Sequence, residues 1–186
     1  MNQAFFGIRT PVHFIQYSKE LLLSNGFIEL KESEEWPQQL DKFFVVRSNG
    51  SIIACKLHDT NSCRIFTSNI DYPCFKIRPN SGRIKDNCEQ LNISQYGYGM
   101  WLTWMDRDLN VAGQVVIKDK NTKKTETRLF ETTQTFCTIP SLAAHLTKPP
   151  KTTCNLDAET TFRPIVAFVH GSTNDDQPID SPTLLK

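Results

Sequence analysis

The dipeptide Asn49-Gly50 stands between two β-rich runs, FFVVRS at 43–48 and SIIACKL at 51–57. No other feature constrains the fold as strongly, because Asn and Gly tolerate the backbone conformation that a tight turn between antiparallel strands requires. The segment therefore predicts a β-hairpin. A second hairpin is expected from VAGQVVIKD, beginning at Val111, and TETRLFETT, beginning at Thr125, around the polar turn Lys120-Asn121-Thr122. Single strands are expected at 64–68, at 75–78 after Pro73, and at 162–169.

Helical signals are fewer. Thr10 offers an N-cap oxygen, Pro11 suits the first helical position, and Gly26 can end a helix in the left-handed conformation. Between them Val12, Ile15 and Leu22, with Leu21 and Leu23 beside them, give a helix over 10–25 with one buried side. A short second helix is expected at 140–146. The last segment, GSTNDDQPIDSPTLLK, has too few large apolar groups to offset the entropy of ordering it.

With 186 residues, 39% of them hydrophobic, the chain can bury a core as one domain or two small ones. Its 21 Lys and Arg against 20 Asp and Glu are scattered along the chain, which argues against a nucleic-acid binder needing a surplus of cations on one face. No apolar run approaches the roughly 18–20 residues of a membrane-spanning helix, and MNQAFFGIRTP lacks the pattern of a signal peptide. A cytoplasmic location is expected, with no membrane partner. The six cysteines, Cys55, Cys63, Cys74, Cys88, Cys137 and Cys154, form no C-x-x-C pair, and are read as reduced and mostly buried thiols.

Candidate chemical groups are few. His58 stands three residues after Cys55 but at the end of a run read as a strand, and His13, His145 and His170 have no second ligand at helical spacing, so no helical metal motif is present. Asp106-Arg107-Asp108, flanked by Trp101 and Trp104, is read as an ion-pair and hydrogen-bond cluster in preference to an acid and base pair. Tyr96-Gly97-Tyr98-Gly99 lacks the third glycine of a phosphate loop. It is read as a tight backbone crossing packed by aromatics.

Several segments carry a family resemblance when taken in order. They are Thr10-Pro11-Val12-His13, LLLSNGFIELKE with Trp36, KFFVVRSNGSIIACKL, SNIDYPCFKIRP, YGYGMWLTWMDRDLNVAGQVVI, IPSLAAHL and FRPIVAF. Over about residues 10–168 the chain resembles the aspartyl aminopeptidases, zinc peptidases that remove N-terminal Asp or Glu. The resemblance implies an α/β (mixed α+β) fold: the N-terminal part of a peptidase-like α/β domain over 1–90, a β-rich oligomerisation domain over 91–170, and a disordered tail over 171–186. In that family the chain returns from the β-rich insert to complete the peptidase domain. This chain is expected to stop first.

The resemblance also implies a zinc ligand, a histidine in an H-T-D-S-P-C-like turn whose aspartate orients the ring. The matching residues are Asn69-Ile70-Asp71-Tyr72-Pro73-Cys74. Asn69 occupies the ligand position and Asp71 that of the orienting carboxylate, so no metal ligand and no cofactor are expected in this chain, whereas the family uses zinc. His145 matches a histidine that reaches a neighbouring subunit's active site to hold substrate, and Ser141 replaces another histidine four residues earlier. The expected function is that of a catalytically inactive relative retaining an assembly surface. Its partners would be copies of itself or full-length aspartyl aminopeptidase subunits. The alternatives are an active zinc aminopeptidase, which would take peptides with an acidic N-terminal residue, and a truncated product without function.

Overall fold

The computed structural model describes residues 8–58, 62–146, 160–169 and 178–179. The chain divides into two compact units, one formed by Met1–Asp71 and Ala112–Glu131, the other by Tyr72–Val111 and Thr132–Lys186.

The first unit opens with helix α1, Pro11–Ser24. Pro11 starts the helix as expected, but Thr10 does not cap it through its side chain: Thr10 Oγ1 is hydrogen-bonded to His13 Nδ1 at 2.7 Å. At the other end Gly26 takes φ 78°, with Gly26 N donating to Leu23 O and Phe27 N to Leu22 O, both at 3.0 Å. This satisfies carbonyls that a helix end leaves open. Ile15 is the residue of α1 that is buried, while Leu21 and Leu23 remain half exposed.

Three strands follow, β1 (Ile28–Glu29), β2 (Lys42–Arg47) and β3 (Ser51–Lys56), in the order β1-β2-β3. The first pair is parallel and the second antiparallel, with Arg47 opposite Ser51. The expected hairpin is present, with its left-handed residues one position earlier than Asn49-Gly50 suggests. Ser48 and Asn49 take φ of 50° and 51°, and Gly50 N donates to Arg47 O at 2.9 Å. The segment 64–68, expected to be a strand, lies outside any strand, and Ile65 and Phe66 are among the most exposed apolar side chains. The second expected hairpin is also formed, by β6 (Ala112–Lys118) and β7 (Thr125–Glu131). Asp119 Oδ1 shapes its turn by accepting from Thr122 N at 2.6 Å, Thr122 Oγ1 at 2.9 Å and Asn121 N at 2.9 Å, which holds the Asp119 carboxyl below its usual range.

The second unit is built on a sheet of order β8-β5-β4-β9, with all pairs antiparallel. Strand β4 (Cys74–Lys85) extends well past the expected 75–78, and β5 (Cys88–Tyr96) was not anticipated. The two are joined by Asp86-Asn87, with φ of 52° and 55° and Lys85 opposite Cys88. A two-residue turn of this hand is where Asp and Asn bear a left-handed backbone at least cost. Strand β8 is Ile165–Phe168 and β9 is Pro178–Ile179. The latter pairs with β4 inside the segment expected to be without order, and the remainder of 171–186 lies outside the described residues.

The core of this unit is Leu91, Ile93, Cys137, Ile139 and Phe162, with Phe75, Trp101, Met105 and Val166 packed against it. Phe75 stands at ring-centroid distances of 4.9 Å from Trp101, 5.1 Å from Trp104 and 5.1 Å from Phe162. The helix expected at 140–146 is reduced to a 3₁₀ turn at Ala144–Leu146. Pro140 lies before it, and Leu142 and Leu146 stay exposed, so no buried side holds a longer helix. Trp101–Trp104 form a second 3₁₀ turn. Against the expected α/β (mixed α+β) class, the described residues are mostly β with one α-helix.

Candidate functional site

Asn69 and Asp71 sit together in the first unit. Asn69 Nδ2 donates to Asp71 O at 2.7 Å and to Asp71 Oδ1 at 3.1 Å, so the amide and carboxylate are turned towards each other at an exposed turn. A zinc site needs imidazole, thiolate or carboxylate donors converging on one point. Here one neutral amide donates its proton into the one neighbouring carboxylate, and no group of three His, Cys, Asp or Glu residues converges among the described residues. The donor set of this turn therefore does not fit zinc.

In the second unit, Pro73 is the surface against which the glycine segment lies. Gly97 has φ 77°, and a Cβ at Gly99 would come within 3.1 Å of Pro73 Cβ and 3.3 Å of the Trp101 ring. The reading of Tyr96–Gly99 as a tight crossing is the geometry observed. It leaves no room for a phosphate to approach Gly99 from that side.

Asp106 and Ser141, 35 residues apart in sequence, form the best-defined polar contact of the second unit. Asp106 Oδ1 accepts from Ser141 N at 2.9 Å and Asp106 Oδ2 from Ser141 Oγ at 2.5 Å. Ser141 thereby holds the Asp106 carboxyl below its usual range, its hydroxyl contributing more than its amide. Asp106 has φ 56° and its own N–H donates to Ile139 O at 2.9 Å, while Thr138 Oγ1 donates to Arg107 O at 3.1 Å. Of Asp106-Arg107-Asp108, the Asp106 carboxylate and the Asp106 and Arg107 backbones make the hydrogen bonds that anchor the 138–141 segment. His145 follows in the 3₁₀ turn, exposed, between the exposed Leu142 and Leu146.

The cysteines differ in environment. Cys88 and Cys137 are buried, Cys55 and Cys74 half buried, Cys63 exposed, and all five are free thiols. Burial pushes the Cys137 thiol up to about 11, which keeps it protonated and unreactive. Cys154 and His170 lie outside the described residues. What the sequence reading missed is β5, whose alternation of Gln90, Asn92 and Ser94 with Leu91 and Ile93 was the available signal.

This fold matches part of solved metalloaminopeptidase structures. A cryo-EM structure of the Ape4 and Nbr1 complex superposes with a TM-score of 0.79 at 28% identity, covering 91% of this chain and 35% of that one. The S. cerevisiae mApe1 dodecamer shares the fold with a TM-score of 0.66 at 24% identity, over 77% of this chain and 35% of that one. The aminopeptidase I zinc metalloprotease (M18) family model matches residues 7–184, and the chain belongs to that family. Among curated relatives, the Caenorhabditis elegans aspartyl aminopeptidase is 36% identical over 178 residues, which are 92% of this chain and 37% of that protein. The chain spans about a third of the length of such relatives.

Proposed function

We propose that this chain is a non-catalytic aspartyl aminopeptidase relative that works by assembling with copies of itself or with full-length subunits. The observation that carries this reading is the Asn69 amide donating to Asp71, in the position where the family resemblance calls for a zinc-binding imidazole. One amide and one carboxylate do not hold a dication against water. The features that the resemblance assigns to an assembly region support the reading: the packed Trp101 segment, the Asp106 anchor and the exposed His145. His145 on such a surface would be offered to a partner's active site, where an imidazole can donate to a substrate carboxylate. The dodecamer formed by the yeast mApe1 gives the scale of assembly to look for.

The test is native mass measurement of the chain, alone and mixed with a full-length aspartyl aminopeptidase, alongside a metal assay and hydrolysis of a peptide with an N-terminal Asp. Mixed particles without bound zinc or turnover in this chain alone are expected, and His145→Ala should change the partner's kinetics without changing particle mass. Absence of mixed particles, with the partner's rate unaffected by excess chain, would remove this reading. Family membership favours a second one, an active zinc aminopeptidase. It predicts two equivalents of tightly bound zinc and chelator-sensitive release of N-terminal Asp.

A further inference from the structure

The hairpin of β6 and β7 is a two-stranded sheet, and among the described residues no third strand borders it. A lone hairpin is marginal in water, and an open strand edge is a template for another chain. Strand β7 lacks the bulge, proline or lysine that would blunt such an edge: its register with β6 runs unbroken from Thr125 to Glu131, and residues 125–129 are all exposed. The direction of its free backbone groups follows from the two ends of the ladder. Thr132 N donates to Val111 O and Asp119 N to Lys124 O, both at 2.9 Å, so the hydrogen-bonded pairs are the alternate ones that include Arg128 opposite Val115 and Glu126 opposite Ile117. The N–H and C=O of Thr125, Thr127 and Leu129 therefore point away from β6.

Charge selects what fits this edge. Arg128 Nε donates to Glu126 Oε1 at 3.0 Å and Arg128 Nη2 to Glu126 Oε2 at 2.8 Å, so the two side chains stand on one face of β7, both well exposed. A strand that runs antiparallel to β7 and is centred on Thr127 meets Glu126 with the residue after its own centre and Arg128 with the residue before it. A second β7 carries Arg128 and Glu126 at those two places. The four side chains then form a square of alternating sign, at the positions where side chains of opposed strands come closest. The same antiparallel course sends the two hairpin tips, each with Lys118, Lys120, Lys123 and Lys124, to opposite ends, whereas a parallel course would set them side by side. The edge of β6 offers no such match, since Lys118 is the one charged residue of that strand.

We propose that β7 pairs antiparallel with β7 of a second copy, Thr127 opposite the partner's Thr127 and Glu126 opposite the partner's Arg128, which gives a four-stranded sheet. This rests on the assembly reading and names the surface through which copies of this chain meet. The test is sedimentation of the whole chain across a concentration series. A dimer is expected, about tenfold weaker in Glu126→Arg and in Arg128→Glu, where the pairing sets like charges opposite each other. Mixed together, these two variants should recover the parent's affinity, because every opposed pair is then Arg with Glu although neither chain keeps its internal ion pair. Thr127→Pro removes an outward N–H at an edge position that the fold should tolerate, and should leave a monomer with the parent's circular dichroism. A parent chain that is monomeric at every concentration, or a mixture no tighter than its components, would overturn the β7 pairing. A dimer that persists unchanged in all three variants would overturn it too, yet leave the assembly reading in place through another surface. That reading falls separately, on the absence of mixed particles with a full-length subunit.

Discussion

The two units of this molecule bury their apolar residues very differently. In the second unit Leu91, Ile93, Cys137, Ile139 and Phe162 touch one another and collect a ring of aromatics around them. In the first, Ile15, Leu30 and Phe44 are buried, but strand β3 leaves Ile53 64% exposed, and Ile65 and Phe66 beyond it are 80% and 91% exposed. A sheet whose outer strand keeps such residues in water is the half of a core that expects another surface. The chain spans about a third of its relatives' length, and the unit that closes its own core is the one formed by Tyr72–Val111 and Thr132–Lys186.

The largest expected effect tests this contrast directly. Phe162→Ala should cost about 3–5 kcal/mol, because a fully buried ring is replaced by a cavity, whereas Ile53→Ala should stay within about 0.5 kcal/mol. Denaturant melts of the two variants measure the difference. An Ile53→Ala variant as damaged as Phe162→Ala would show that β3 is covered in solution, most directly by self-association, and a concentration series would then reveal it.

A smaller effect separates the glycines. Gly99→Ala places a methyl within 3.1 Å of the Pro73 ring and should cost about 1–3 kcal/mol through overpacking. Gly113→Ala, in β6 of the other unit, meets nothing within 4 Å and should be within about 0.5 kcal/mol of the parent. Equal melting temperatures for the two would mean that the Pro73 crossing gives way more easily than its geometry suggests.

Next come the turns. Asn49→Val forces a β-branched residue into a left-handed position and should cost about 1–2 kcal/mol. Gly50→Ala should cost less, since the nearest atoms to its new methyl are 3.8 Å away and its φ is not left-handed. The reverse order would place the turn on Asn49-Gly50 after all.

The smallest effect is the pH dependence of the Asp106 anchor. Ser141 lowers the folded-state pKa of Asp106. The stabilisation is therefore complete above the unfolded carboxyl value and is lost as pH falls through the folded one. Melting curves of the parent and of Asp106→Asn should differ at about pH 6 and converge as pH falls below the ordinary carboxyl value. A gap that widens on acidification would contradict the hydrogen bonds from Ser141.

How much of this was legible beforehand depends on the range of the interactions. The α1 boundaries at Pro11 and Gly26, the β2–β3 hairpin and the β6–β7 hairpin follow from propensity and turn chemistry over a few adjacent residues. The family was legible from the order of short strings such as YGYGMWLTWMDRDLNVAG. The expected strand at 64–68 failed because Ile65 and Phe66 have the composition of a strand but no partner strand within the described residues. The expected helix at 140–146 failed because a few apolar residues after a proline do not pay for nucleation without a surface to pack on.

Sequence alone therefore determined the local turns, the first helix, the family and the chemical identity at position 69. Only the tertiary structure decided that Ser141 would be held by Asp106 across 35 residues and that Arg163 would reach Asn92 across 71. The reason is physical. Each of these meetings is set by strand register or loop closure between segments far apart in the chain, and register follows from the packing of Leu91, Ile93, Ile139 and Phe162 as a group, which no local stretch of residues specifies.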